Sequence, residues 1–130
     1  MEKKLTLVFG IVFVLLGLLG FVSNPIVGNV AIFSANVWHN MIHLLTGIIL
    51  LAFAFLKPQS SLSAIKTFGV IYLVLTVFGF ILVPTGGSLF GLILLNSADH
   101  FLNLLIGVIL IIFAYAVEKK EKGLDTVASN

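Results

Sequence analysis

The chain has 130 residues, of which 60% are hydrophobic and only 9% charged, with a mean hydropathy of +1.23. Such a balance excludes an ordinary soluble domain and points to a membrane protein. The formal net charge of +2 arises from seven lysines and five acids, gathered at the two ends and in one loop, so no basic face for nucleic acid can be drawn. Cysteine is absent, which removes disulfides, thiolate nucleophiles and cysteine-based metal sites.

Four stretches approach the roughly 20 apolar residues needed to cross a hydrocarbon core. They cover about residues 5–22, 37–56, 62–83 and 98–117. The first follows Lys3 and Lys4. It is long for a signal-peptide core and lacks a following small-x-small cleavage site, so a retained span is expected, with a cleaved signal as the alternative. Gly10, Gly17 and Gly20 let a neighbouring backbone approach. Residues 23–36 carry Asn24-Pro25 and Gly28-Asn29 but no charge, and are expected to turn along the membrane surface. The second stretch ends at Lys57-Pro58, where a cation suits a helix C-terminus and proline stops propagation. Ser61 is a candidate cap for the third stretch, and Lys66 can snorkel to headgroups. After Pro84 and the turn Thr85-Gly86-Gly87-Ser88, residues 89–95 are apolar but too short to cross and are expected to be interfacial or partly re-entrant. Residues 118–130 are expected to be a charged, frayed cytoplasmic tail. All lysines fall on one side of this layout, so the positive-inside rule puts both termini in the cytoplasm of a multi-pass cell-membrane protein.

The two halves of the chain match each other. Phe9-Gly10, Gly20-Phe21 and Pro25 align with Phe68-Gly69, Gly79-Phe80 and Pro84 at one offset. One residue further on, Asn36, Gly47 and Phe53-Ala54 align with Asn96, Gly107 and Phe113-Ala114. A tandem repeat of a two-helix hairpin follows. An even number of crossings per repeat then predicts a pseudo-two-fold axis along the membrane normal. The expected fold is an all-α integral membrane four-helix bundle.

Most intramembrane polar residues lie on two helical stripes. Asn36, Asn40, His43 and Gly47 form one, and Asn96, His100, Asn103 and Gly107 the other, with His39 and Asp99 beside them. Facing each other across the axis, histidine and asparagine would pair reciprocally between spans two and four. Polar groups in a span are costly unless paired, so the cluster needs a role. Packing glue that fixes register is the first candidate. A metal site drawn from His39, His43, Asp99 and His100 is the second, although His-x-x-x-His here lacks the glutamate of a hydrolase. Proton chemistry between Asp99 and a histidine is the third, and haem held by His43 and His100 the fourth. Trp38 is the expected interfacial anchor.

The two blocks, each an Asn/Asp-Asn/His-x-x-His/Asn-Leu-Leu-x-Gly pattern preceded by an asparagine, resemble the bacterial four-helix membrane family catalogued as domain of unknown function 4383. Phe68-Gly69-Val70-Ile71-Tyr72-Leu73 also carries the likeness, which runs from about Phe9 to Tyr115. His100 and Asn103 exchange the asparagine and histidine that the pattern expects in the second block. The resemblance implies the architecture and no established activity. No enzymatic reaction and no bound cofactor is expected. A structural or accessory membrane role leads, with a small homo-oligomeric transporter or a metal- or proton-binding membrane protein as the rival. The expected partners are the lipid bilayer, a second copy or another membrane protein.

Overall fold

A computed structural model describes all 130 residues. It is mostly helical, with four helices: α1 (Glu2–Leu19), α2 (Val37–Leu56), α3 (Ser61–Leu82) and α4 (Ser97–Ser129). A turn of 3₁₀ helix at Pro58–Ser60 joins α2 to α3. Three helical segments, Val37–Leu56, Pro58–Leu82 and Ser97–Ser129, are long and apolar enough to cross a membrane. The first helix is shorter, at 18 residues, and begins with Glu2, Lys3 and Lys4. It ends before the expected limit of 22, because Asn24 folds the chain back there. The Asn24 Nδ2 donates to Leu19 O and Val22 O, and its Oδ1 accepts from the Ile26 and Val27 amides.

Helix α1 packs along α2, and α3 along α4, with backbones brought together at glycines. A Cβ added to Gly47 would lie 2.5 Å from Val14 N and 2.7 Å from Gly10 O. One on Gly107 would lie 2.7 Å from Leu73 Cδ2 and 3.0 Å from Gly69 O. The Gly47 crossing leaves no room for a side chain against the α1 backbone, and the Gly107 crossing leaves room only if Leu73 moves. Between the pairs lies one apolar core that includes Phe13, Leu50, Ile65, Tyr72, Leu110 and Ala114.

The loops hold short strands that the sequence did not suggest. In the first loop β1 (Val27–Gly28) pairs parallel with β2 (Phe33–Ser34). In the second, β3 (Gly87–Leu89) pairs antiparallel with β4 (Ile93–Leu95). Both pairs occupy corresponding places, sixty residues apart. The antiparallel form needs positive φ at Gly86, Gly87, Phe90 and Gly91. The first loop has Ile26, Val27, Val30 and Ala31 at those places, whose Cβ atoms disfavour it.

The tail also departs from expectation. Residues 118–129 continue α4 as helix instead of fraying. Glu118 explains part of this, since it bridges Lys66 at 2.7 Å and Lys122, one turn on, at 3.3 Å. The ammonium of Lys66 also sits over the Tyr115 ring, 4.1 Å from its centroid. These contacts tie the first turn of the tail to α3.

Candidate polar centre

The two asparagines that head the stripes are helix caps. Asn36 Oδ1 accepts the His39 amide at 3.0 Å and starts α2. Asn96 Oδ1 accepts the Asp99 amide at 3.0 Å, and Asp99 Oδ2 accepts the Asn96 amide at 2.7 Å, closing a capping box at the start of α4. Each cap also reaches into the other half. Asn36 Nδ2 donates to Leu92 O at 2.6 Å, and Asn96 Nδ2 donates to Ile32 O at 2.8 Å. The Leu94 amide returns a bond of 3.3 Å to Asn36 Oδ1. These asparagines therefore satisfy loop backbone groups that would otherwise lack partners.

His39 and His43 lie one turn apart on α2 and both are only 5% exposed. His39 Nδ1 faces two carbonyls, Ser34 O at 2.9 Å and Leu94 O at 2.8 Å. A carbonyl only accepts, so Nδ1 carries the hydrogen, and in the neutral ring Nε2 carries a lone pair. The two Nε2 atoms are 3.0 Å apart. His43 Nε2–H is then the donor between them. Its bare Nδ1 lies 3.4 Å from the Tyr72 hydroxyl, which is also 3.2 Å from Thr46 Oγ1. Thr46 in turn donates to Ile42 O at 2.7 Å. For neutral imidazoles this makes a polar chain running from the second loop through His39 and His43 to Tyr72 and Thr46. Phe13 stacks on His43, packs tilted against Tyr72, and closes the inner end of the chain with hydrocarbon.

Two cavities flank the histidine pair. One is lined by His39, His43 and Asp99 among apolar neighbours, and the other by His39, His43, Tyr72 and Asn103. Each has about 10 Å³ open to the centre of a water molecule, room for roughly one water. Asp99 is 1% exposed, and its Oδ1 has no hydrogen-bond partner.

Asn40 and His100 point elsewhere. Asn40 packs on Gly20, the residue that ends α1. His100 packs on Gly79 of α3 and donates from Nε2 to Val83 O at 2.7 Å. The expected histidine–asparagine pairing across α2 and α4 is therefore replaced, at these positions, by packing of each side chain on the preceding helix of its own half. His39, His43, Asp99 and Asn103 share the central region, and His100 does not join them. No group of three or more histidine, aspartate or glutamate side chains is arranged to hold a metal ion. Haem between His43 and His100 does not fit either, because the cavities beside His43 have room for about one water. Tyr72, 29 residues from His43, is a member of the centre that sequence spacing did not reveal. Nor did spacing reveal the Ser34 and Leu94 carbonyls.

Helices of this length and apolarity around a buried polar centre define a helical protein of membrane-compatible composition. The family model for the domain of unknown function DUF4383 matches residues 3–116, and the chain belongs to that family. No curated protein and no solved structure matches it.

Proposed function

We propose that the chain is a four-span cell-membrane protein with both termini in the cytoplasm. In this reading it is built as two tandem helical hairpins about a pseudo-two-fold axis along the membrane normal. It serves as a structural or accessory component of the membrane and not as an enzyme, with its polar centre locking the hairpins together. Its partners are the bilayer and either a second copy or another membrane protein. One observation carries the symmetry. A two-fold axis requires that if one residue bonds to a second, the second's counterpart bonds to the first's counterpart. The Asn36–Leu92 and Asn96–Ile32 bonds satisfy this at an offset of sixty residues. The layout of the lysines supports the orientation, and the short α1 fits a span whose Lys3 and Lys4 reach cytoplasmic headgroups.

Bonds between helices inside a bilayer contribute about 0.6–2 kcal/mol each, enough to fix register without any chemistry. The test replaces His39 and His43, separately, with asparagine and leucine in the full chain. Loss of thermal stability in detergent, with cellular phenotypes following protein level, is expected. A variant that keeps stability but loses a growth or flux phenotype would overturn the packing role. Topology is tested by single cysteines at Asn29, Lys57 and Ser129 with an impermeant maleimide on intact cells. Only Asn29 should label, and labelling of Lys57 would reverse the orientation.

The directed hydrogen-bond chain through His39, His43 and Tyr72 favours one second reading, a proton-binding or transporting protein working as a homo-oligomer. Four spans leave little room for a pathway within one chain. Crosslinking in native membranes that recovers only monomer counts against it.

A further inference from the structure

We infer that the two loops opposite the lysines form a lipid-inserted surface, with Phe90 and Val30 as tips set into the boundary between headgroups and acyl chains. This rests on the four-span reading above. Between Lys4 and Lys57, and again between Lys66 and Glu118, the only charged residue is Asp99, which is 1% exposed. No exposed ionised side chain therefore holds these loops in water. They present instead Val30, fully exposed, together with Ile32, Phe90 and Leu92, each more than half exposed. Exposed apolar side chains gathered on uncharged loops point to an interaction surface.

Backbone conformation singles out Phe90. It has φ 53° and is followed by Gly91 at φ 71°, with the Leu92 amide closing the turn on Leu89 O at 3.1 Å. Positive φ at both central residues is the primed-turn pattern, which favours Asn-Gly or Gly-Gly. A phenylalanine in the left-handed region is disfavoured, because its Cβ crowds the following carbonyl oxygen. The local backbone does not favour it, so its side chain is the feature to explain.

What that side chain touches sets its depth. Phe90 packs edge-on against Phe78, with ring centroids 5.6 Å apart. Phe78 lies four residues before the end of α3, about 6 Å along the helix axis. It continues an exposed apolar face of α3 formed by Val74, Val77 and Ile81. In the four-span reading that face is already against acyl chains. Lipid is therefore the occupant continuous with it. The usual objection to loops near hydrocarbon is their unpaired backbone groups. Here Asn36, Asn96 and His39 satisfy the Leu92, Ile32 and Leu94 carbonyls. The polar centre thus equips the loops for lipid.

Because the chain has no cysteine, single-cysteine spin labels give a clean test in vesicles of phosphatidylcholine and phosphatidylglycerol. Labels at Val30, Phe90 and Leu92 are compared with one on α3 at Val74 and one in the tail at Asp125. Expected are greater relaxation by oxygen than by a water-soluble nickel chelate at Val30, Phe90, Leu92 and Val74, and the reverse at Asp125. Nickel-dominated relaxation at all three loop sites, with Val74 still oxygen-dominated, overturns the lipid surface and leaves the four-span reading intact. Nickel-dominated relaxation at Val74 overturns both. Loop labels shielded from both reagents, with spin–spin broadening, would assign the surface to a second copy of the chain and overturn lipid as occupant. The variant Phe90→Asn relieves the turn, so it should fold, while lowering oxygen relaxation of the label at Leu92. Unchanged oxygen relaxation there would count against insertion by Phe90.

Discussion

Helix pair α1–α2 and helix pair α3–α4 hold different side chains in corresponding places. His39 stands opposite Asp99, Asn40 opposite His100, His43 opposite Asn103 and Phe13 opposite Tyr72. The backbone framework is common, with an asparagine cap opening the second helix and glycines at the crossing. The polar contents are not. Only the first pair holds two histidines in contact, and only the second supplies the hydroxyl that meets them. The central hydrogen-bond chain therefore depends on both halves and belongs to neither.

Mutations that treat the halves alike should reveal this difference. The largest effect is expected from Gly47→Ala, whose new methyl meets backbone of α1 that cannot yield. Gly107→Ala meets mainly the flexible end of Leu73. Overpacking costs about 1–3 kcal/mol, and Gly47→Ala should lie at or above the top of that range and Gly107→Ala near the bottom. Heat-induced loss of the monodisperse peak in detergent ranks the two. Equal losses would sink the distinction.

Next come the caps. Replacing a cap by alanine costs about 0.5–2 kcal/mol. Asn36→Ala should exceed Asn96→Ala in a thermal melt, because it frees the His39 and Leu94 amides and the Leu92 carbonyl together, whereas Asn96→Ala keeps the backbone amide that Asp99 Oδ2 accepts. A smaller loss, about 0.5–1.5 kcal/mol, is expected from Tyr72→Phe, which removes the hydroxyl between His43 and Thr46. Phe13→Tyr, at the corresponding place, should give no compensating gain.

The smallest effect lies where Lys66 of α3 meets Glu118 of α4. The Lys66 ammonium, with Lys122, holds the Glu118 carboxyl below its ordinary value of 4.5. A lowered folded value means that the ionised form is favoured by folding. The contribution is present above pH 4.5 and is lost as the pH falls below it. Melting curves of the wild type and Glu118→Gln should therefore differ slightly at neutral pH and converge in acid. A gap that widens in acid would contradict the pairing.

Much of the helical layout was legible because it rests on local chemistry. Lys57-Pro58 stops α2 where a helix must stop, and Asn36 and Asn96 begin helices where their side chains can accept an amide. The close approaches at Gly47 and Gly107 follow from small residues at matched places. The centre was only partly legible. His39 and His43 are neighbours by helical period alone, but Tyr72 meets them through tertiary packing that no spacing announces. Asn40 and His100 share the stripe yet turn toward Gly20 and Gly79, because the nearest gap lies in the adjoining helix. The antiparallel strands were missed since their pairing depends on positive φ in a few glycines and in Phe90, against that residue's own preference, and the parallel pair because it is only two residues long. The helical tail was missed because its charges look solvated until Glu118 is seen to bridge Lys66 and Lys122.

Helix α4 has 33 residues, which at 1.5 Å per residue makes a rod about 50 Å long. A hydrocarbon core takes up about 30 Å of such a rod. In a bilayer the remainder would stand clear of the hydrocarbon as a mast. Cargo fused behind Asn130 would then be held at a set height above the headgroups, and energy transfer to a membrane dye would read that height directly.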